Sequence, residues 1–252
     1  MIENPYPKNW RNLQKGVCKI FNEIGLRAEE SKVVSTPRGC VELDVYAVDN
    51  NSVDKIIYVV ECKNWTSAIP KSVVHSFTTV MHEVGANVGY IISQKGLQTG
   101  TKEYIKNTNI SGITYEEFQR KYFPVWYQKC FVPQIGDTVD ELVQYVEPFN
   151  SRTIRAVNEL SKPDRQRYFD LVRKYRLFGM IMAFFEVPNF SSRFILPAPE
   201  EIEEIKKKIV EASGKEFEFT AIYFRDLLNE IRSKIREVTE KFHKVFGENI
   251  FA

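Results

Sequence analysis

The sequence is poor in the residues that build zinc sites and disulfide frameworks. It contains only four cysteines and three histidines among 252 residues. No two cysteines have the C-x-x-C spacing of common metal-binding motifs; they are Cys18, Cys40, Cys62 and Cys130. This scatter argues against a structural zinc site and against a disulfide-rich secreted fold.

Long apolar runs and a strong net charge are also lacking. No uncharged apolar stretch approaches the roughly 18 residues that a transmembrane helix needs, so no membrane span is expected. The residues from Met1 to Pro5 show no basic-then-apolar leader, and the expected compartment is the cytoplasm. The net charge is only +2, so a nucleic-acid surface would have to come from local clustering of basic residues.

The residues that are present indicate a globular protein with an ordinary core. The chain is 43% hydrophobic and 27% charged, and its length suits one large domain or two modest ones. Apolar residues at helical spacing predict an amphipathic helix over residues 8–24, ended by Gly25. The apolar stripe of this helix is predicted to be core and consists of Trp10, Leu13, Val17, Ile20, Phe21 and Ile24.

The main functional signal is a set of charged residues within two otherwise apolar strand patterns. Residues 41–48 and 56–63 are rich in β-branched residues and are joined by turn-forming residues, which predicts an antiparallel hairpin. Glu42 and Asp44 share one face of the first strand, and Glu61 and Lys63 share one face of the second. Charged residues in an otherwise apolar strand pattern are typical of a functional site.

These residue types suit metal-assisted hydrolysis of a phosphodiester. Carboxylate oxygens are the ligands that Mg²⁺ prefers, and a lysine beside them can orient a water or stabilise developing charge. The alternative is a surface hairpin whose Glu61 and Lys63 form an ion pair of little energetic value. Trp65, two residues after Lys63, is expected to pack, with stacking on a base as the alternative.

Asp44 and the run from Val59 to Trp65 resemble the PD-(D/E)XK nuclease signature in its Mrr-type restriction endonuclease form. The resemblance covers about residues 1–126 and implies a restriction-endonuclease-like α/β core, with a mixed central sheet flanked by helices. Many Mrr-type domains read Asp-Gly-Gly-Ile-Asp where this chain reads Cys-Val-Glu-Leu-Asp, ending at Asp44.

The resemblance also assigns roles to individual residues. It implies that Asp44 and Glu61 bind Mg²⁺, for which Mn²⁺ can substitute, and that Lys63 assists the attacking water. Gln14, eleven residues before Gly25, matches a Glu or Gln that supports the metal site in this family. Glu42 is a further accessory candidate.

The elements that follow the hairpin alternate between helices and strands. The pattern predicts helices over 72–84, 99–107 and 115–122 and strands over 87–93 and 110–113, in addition to a first strand over 26–36. The alternation favours a parallel pairing of the 87–93 strand with the strand that carries Glu61. Gln94 and Lys95 follow that strand and are candidates to contact a phosphate, a solvated loop being the alternative.

The character of the chain changes near Trp126. Strand-like alternation stops, and Pro124, Pro133, Gly136 and Pro148 punctuate a segment that otherwise has helical patterns. Helices are predicted over 137–146, 151–160, 162–186, 199–213 and 219–246. We therefore predict a nuclease-like domain over 1–126 and a mainly α-helical domain over 127–252, used for DNA binding, dimerisation or both.

Two features of the helical half have alternative interpretations. Residues 152–176 contain eight basic and three acidic residues, which favours a surface that follows a phosphate backbone; a solvated helix face is the alternative. The candidates for DNA contact there are Arg165, Arg167, Arg173 and Arg176. The last helix carries a coiled-coil-like seam over residues 228–245, which indicates either intramolecular packing or a homodimer through the C-terminal helices.

The sequence thus predicts a Mg²⁺-dependent endonuclease that hydrolyses DNA, with restriction of foreign or modified DNA implied by the family. One alternative is a structure-specific repair or recombination nuclease of the junction-resolvase kind. Another is a non-cleaving DNA- or protein-binding module on a nuclease-derived fold. The presence of all three of Asp44, Glu61 and Lys63 favours an enzyme.

Overall fold

The computed structural model describes residues 1–186, 196–213 and 216–252. The chain divides into two compact units. One unit contains Met1 and Glu3–Lys129, and the other contains Ile2 and Cys130–Ala252. None of the helices within the described residues is both long and apolar enough to span a bilayer.

A five-stranded mixed sheet forms the centre of the first unit. Its strands are β1 (Arg27–Thr36), β2 (Gly39–Val48), β3 (Ile57–Lys63), β4 (Val88–Ser93) and β5 (Ile110–Thr114). They lie side by side in chain order. The pairings of β1 with β2 and of β2 with β3 are antiparallel, whereas β3–β4 and β4–β5 are parallel. The predicted hairpin, the parallel pairing and the restriction-endonuclease-like core are confirmed.

Helices cover both faces of this sheet. They are α1 (Trp10–Glu23), α2 (Lys71–Glu83), α3 (Thr99–Ile105) and α4 (Tyr115–Trp126). On one face, Phe21 of α1 contacts Tyr58 of β3 and Phe118 of α4, with ring centroids 5.6 and 5.4 Å away. On the other face, Phe77 and Met81 of α2 belong to an apolar cluster with residues of β3 and β4. The helices therefore sandwich the sheet and leave its ends accessible.

The first helix is defined by its ends and by its apolar stripe. Asn9 caps α1 by accepting a hydrogen bond from the Asn12 amide at 2.9 Å, and Gly25 follows the helix with φ +93°, a conformation that favours glycine. The stripe is buried from Leu13 onward. Trp10 is 45% exposed, so its predicted place in the core is wrong; it begins the first turn, at the edge of the packed stripe.

Gly112 of β5 shows how tightly α3 and its preceding loop are held on the sheet. A Cβ at this position would overlap the buried side chain of Leu97. We expect Gly112→Ala to lower the free energy of unfolding by about 1–3 kcal/mol, measured by chemical denaturation. Gly100→Ala in α3 is the matched control, because no described atom lies within 4 Å of the added methyl. An equal loss in both variants would contradict this packing.

The second unit is helical in its described residues. Its helices are α5 (Val132–Val146), α6 (Ser151–Glu159), α7 (Lys162–Ala183), α8 (Ile202–Ala212) and α9 (Phe224–Phe246). A π-helical segment, Tyr127–Phe131, precedes α5, and a 3₁₀ turn, Phe184–Glu186, follows α7. Three predicted breaks are wrong. Pro124 lies within α4, and Pro133 and Gly136 lie within α5, which follows the π-helical segment without interruption.

The apolar seam of α9 is buried within its own chain. Leu228, Ile231, Ile235, Val238 and Phe242 are at most 3% exposed, and α9 packs against α5 and α7. This burial supports the intramolecular alternative for these five side chains. A homodimer through the C-terminal helices stays a prediction.

Two of the four arginines predicted to contact DNA cap helices. Arg165 donates to the carbonyl oxygens of Val157 and Asn158 at 3.1 and 2.6 Å, at the end of α6. Arg176 donates to the carbonyl of Val146 at 3.0 Å, at the end of α5. Both guanidinium groups are thereby held at helix ends. Their contact with DNA stays a prediction.

The other two arginines lie on the surface of α7. The side chains of Arg167 and Arg173 are 72% and 79% exposed, and each pairs with an aspartate three residues earlier, Asp164 or Asp170. Exposed pairs of this kind contribute little to stability. These two guanidinium groups therefore remain accessible to solvent.

Candidate active site

The site lies where β2 and β3 separate at the rim of the sheet. Their antiparallel pairing runs as far as Val45 and Val60, whereas β3 continues beside β4 as far as Lys63. Just beyond the last pair, the Cys62 amide donates a hydrogen bond of 2.7 Å to Oδ2 of Asp44. A side-chain carboxylate therefore takes the place of a backbone acceptor, and this fixes Asp44 against β3.

Gln14 forms a hydrogen bond with the other oxygen of the Asp44 carboxylate. It lies in α1, is 3% exposed, and donates from Nε2 to Oδ1 of Asp44 at 2.6 Å. A buried amide beside an apolar helix stripe is costly unless it is hydrogen-bonded. The pattern of α1 left open whether Gln14 faced solvent, and the structure places it against Asp44.

Glu61 and Lys63 lie together on the face of β3 opposite the Cys62 side chain. Lys63 Nζ forms an ion pair with Oε1 of Glu61, and both side chains are 28% exposed. Burial by itself lowers the pKa of Lys63, but the hydrogen bond and charge of Glu61, together with the charge of Asp44, outweigh it and raise that pKa. Lys63 is therefore a cation that is paired with Glu61 and further favoured by the negative charge of Asp44.

Cys62 is a packing residue of the opposite face. Its side chain is 4% exposed. Burial raises the pKa of the Cys62 thiol well above its usual value, and the charges of Asp44 and Glu61 act in the same direction. The thiol therefore stays neutral, which argues against a role as a metal ligand or nucleophile.

A cleft of about 470 Å³ opens over Asp44 and Lys63. The start of α1 and the segment after β3 form its walls, through Lys8, Asn9, Trp10, Asn64 and Trp65. Sequence reasoning assigned no site role to the first four of these residues, and for Trp65 it gave stacking on a base only as the alternative. The signals were weak: Lys8 and Asn9 immediately precede a helix, and Asn64 and Trp65 immediately follow the E-x-K strand.

Trp65 does not pack in the core, contrary to the prediction. Its side chain is 43% exposed, and Lys63 Nζ lies 5.8 Å from the centroid of its ring. The expectation was wrong because Trp65 follows the end of β3, where the chain leaves the sheet and no helix covers the ring.

A second cavity, of about 340 Å³, adjoins the site. It includes Gln94 and Lys95, which follow β4, and it shares Asn64 with the cleft. Gln94 Nε2 donates to Oδ1 of Asn64 at 2.9 Å, while Lys95 is exposed. The two residues singled out after β4 therefore lie beside the segment that follows Lys63.

Glu42 is not brought into the site. It is exposed on β2, opposite Val33 of β1. Among the described residues, no hydrogen bond or ion pair joins it to Asp44 or Glu61. Its accessory role therefore stays a prediction, without a hydrogen bond or ion pair to the other candidates behind it.

The side chains present fit Mg²⁺ better than a transition metal. In the described part of the chain, no group of three or more His, Cys, Asp or Glu side chains is arranged to hold a metal ion. The site instead offers two carboxylates, Asp44 and Glu61. Mg²⁺ keeps several waters and is commonly bound by one or two carboxylates plus substrate phosphate.

Comparison with known families agrees with this geometry. Residues 8–121 match the family model Mrr_cat, described as a restriction endonuclease. This part of the chain is therefore similar to the restriction endonuclease family that this model describes. The matched range contains Gln14, Asp44, Glu61 and Lys63. The match supports a nuclease of the restriction-endonuclease-like family.

The other comparisons give no information about function. No curated protein matches the chain. One similar solved structure is the crystal structure of a protein of unknown function. It is 14% identical, with a TM-score of 0.39 over 95% of this chain and 99% of the other. A likeness at that level carries no argument about function.

Proposed function

We propose that this protein is a Mg²⁺-dependent endonuclease that hydrolyses DNA phosphodiester bonds in the cytoplasm. The observation that carries the proposal is the carboxylate of Asp44, held on both oxygens, in an open cleft that Lys63, the ion-pair partner of Glu61, also lines. Two carboxylates and a protonated lysine at one sheet rim form the set of groups that phosphodiester hydrolysis requires.

Each residue has a distinct role in this proposal. Asp44 and Glu61 would hold Mg²⁺, which supplies Lewis-acid activation of water and neutralises charge on the phosphate. Lys63 orients the attacking water and stabilises negative charge that develops on the phosphoryl oxygens. Gln14 positions the Asp44 carboxylate. Mn²⁺ has similar ligand preferences and should replace Mg²⁺.

The biological role proposed is restriction of foreign or modified DNA, in keeping with the Mrr_cat match. We assign the chemistry to residues 1–126 and DNA binding to the helical residues 127–252. In that helical part, Arg167 and Arg173 present exposed guanidinium groups. Such groups contribute to affinity by neutralising phosphates.

The test is cleavage of supercoiled plasmid by the purified full-length chain, with Mg²⁺, with Mn²⁺, or with a chelator. Cleavage that requires the metal supports the proposal. Methylated, unmethylated and branched substrates distinguish restriction from a junction-resolvase activity. DNA binding without cleavage of any substrate would overturn the enzymatic assignment and favour a binding module.

Gln14→Leu tests whether the buried amide positions Asp44. Removing the donor to Oδ1 frees the carboxylate to rotate, and we expect about a 10- to 100-fold loss of metal affinity or of cleavage rate. Gln14→Glu is the informative companion, because it places a second negative charge against Asp44. Metal titration by calorimetry measures the effect directly. Unchanged affinity in the Leu variant would show that the Cys62 amide alone suffices.

A further inference from the structure

The exposed aromatic rings of the first unit gather at the candidate site. Among its described residues, the large aromatic side chains that are markedly exposed are Tyr6, Trp10 and Trp65, at 74%, 45% and 43%. Trp10 and Trp65 line the cleft over Asp44, and Tyr6 lines the adjoining cavity. Neither the core nor the hydrolytic chemistry requires these rings.

The rings are accompanied by cationic groups. Arg11 Cζ lies 5.2 Å from the centroid of the Trp10 ring, and Lys63 Nζ lies 5.8 Å from that of Trp65. Lys8 lines the same cleft, next to the first turn of α1, where backbone N–H groups favour a phosphate. Exposed aromatic rings interleaved with cationic groups are typical of a groove that binds single-stranded nucleic acid.

We propose that the cleft takes a DNA strand whose bases are unpaired next to the scissile phosphate. Trp10 and Trp65 stack on bases that flank this phosphate, and Tyr6 receives the next base in the adjoining cavity. In an intact duplex the base faces are covered by neighbouring bases, so these rings have nothing to stack on. The preferred substrate class is therefore single-stranded or locally opened DNA.

The position of the rings relative to the reactive groups supports this assignment. Trp65 follows Lys63 by two residues, and Asn64 between them lines both cavities. A strand lying from one cavity to the other would pass Asn64 beside the Asp44 and Lys63 side chains. Stacking would then hold the phosphate in register without recognising any particular base. This inference rests on the proposed function, since it names the substrate of the same site.

Tryptophan fluorescence of the full-length protein provides the test. The chain contains three tryptophans, and the third, Trp126, is fully buried and donates to Glu23 at 2.6 Å. Trp126 therefore supplies an internal signal that DNA cannot reach. Titration is carried out in chelator, so that no cleavage occurs, with a short oligodeoxynucleotide and with the duplex of the same sequence.

We expect the single strand to quench the fluorescence and to bind more tightly than the duplex. Trp10→Leu and Trp65→Leu should each weaken single-strand binding about 10-fold, the order expected for one lost stacked base. Val53→Ala is the control, because it trims an apolar side chain that is 99% exposed in the same unit and lines neither cavity, so it should leave binding unchanged. Melting temperatures confirm that each variant is folded.

The outcomes separate this inference from the proposed function. Duplex binding equal to or tighter than single-strand binding, with no effect of the two leucine variants, overturns the inference even if plasmid is cleaved. Quenching and ring-dependent binding without any cleavage in Mg²⁺ support the stacking groove but overturn the nuclease. Ring-dependent binding together with faster cleavage of single strands than of duplex supports both.

Discussion

Lys63→Met is expected to slow Mg²⁺-dependent DNA cleavage about 100- to 1000-fold, the usual loss when one stabilising cationic or hydrogen-bonding group is removed from an active site. Methionine keeps most of the length and apolar body of the lysine stem, so the fold should change little, and the affinity for DNA should fall far less than the cleavage rate. The loss should appear in the single-turnover rate of plasmid nicking rather than in the binding constant.

For the same Lys63→Met variant, we expect no loss of metal affinity, in contrast to the loss of cleavage rate. Lys63 Nζ pairs with Glu61, so the ammonium competes with a cation for that carboxylate. Removing it should leave the affinity for Mn²⁺ unchanged or tighter, as measured by calorimetry. Lys102→Met is the matched control, since Lys102 is an exposed lysine of α3. A melted Lys63→Met protein, or one that cleaves as well as wild type, would contradict the catalytic role.

Asp44→Asn is expected to reduce cleavage about 1000-fold, because loss of the cation costs several kcal/mol of transition-state stabilisation. The asparagine keeps one oxygen that can accept from Gln14 or Cys62. The fold should therefore survive, and calorimetry should show weakened Mn²⁺ binding. Asp54→Asn, an exposed aspartate between β2 and β3, is the matched control and should retain full activity.

Asp44→Ala separates the structural contribution of this carboxylate from its proposed metal binding. Alanine leaves both the buried Gln14 amide and the Cys62 N–H without their acceptor. We expect the free energy of unfolding to fall by about 1–3 kcal/mol, in addition to the loss of cleavage. If the alanine variant were as stable as the asparagine variant, water would have to replace both hydrogen bonds. If either variant cleaved at the wild-type rate, Asp44 could not be a metal ligand.

Local patterns predicted most of the fold because its elements are short and strongly periodic. The alternation in β2 and β3 and the turn residues between them specify a hairpin without reference to distant residues. The boundaries of α1 follow from Asn9, the apolar spacing and Gly25. The E-x-K run also placed Glu61 and Lys63 on one face, because side chains alternate along any strand.

The errors concern side chains whose surroundings come from distant parts of the chain. Trp10 and Trp65 are apolar, but each lies at the end of an element, where the next layer does not reach. Arg165 and Arg176 appear in the sequence as part of a basic stretch. Nothing in the sequence indicates that each donates to the end of another helix, at Val157 or Val146.

The sequence by itself determined the order of the elements, the pairing of β2 with β3 and the placing of Glu61 and Lys63 on one face of a strand, because periodicity and spacing are local properties. The tertiary structure alone decided that Gln14 and the Cys62 amide donate hydrogen bonds to the two oxygens of Asp44, and that Trp10 and Trp65 are exposed beside that carboxylate. These facts depend on where β2 and β3 separate and on how α1 packs across the sheet. Residues distant in sequence meet there only after the core has formed.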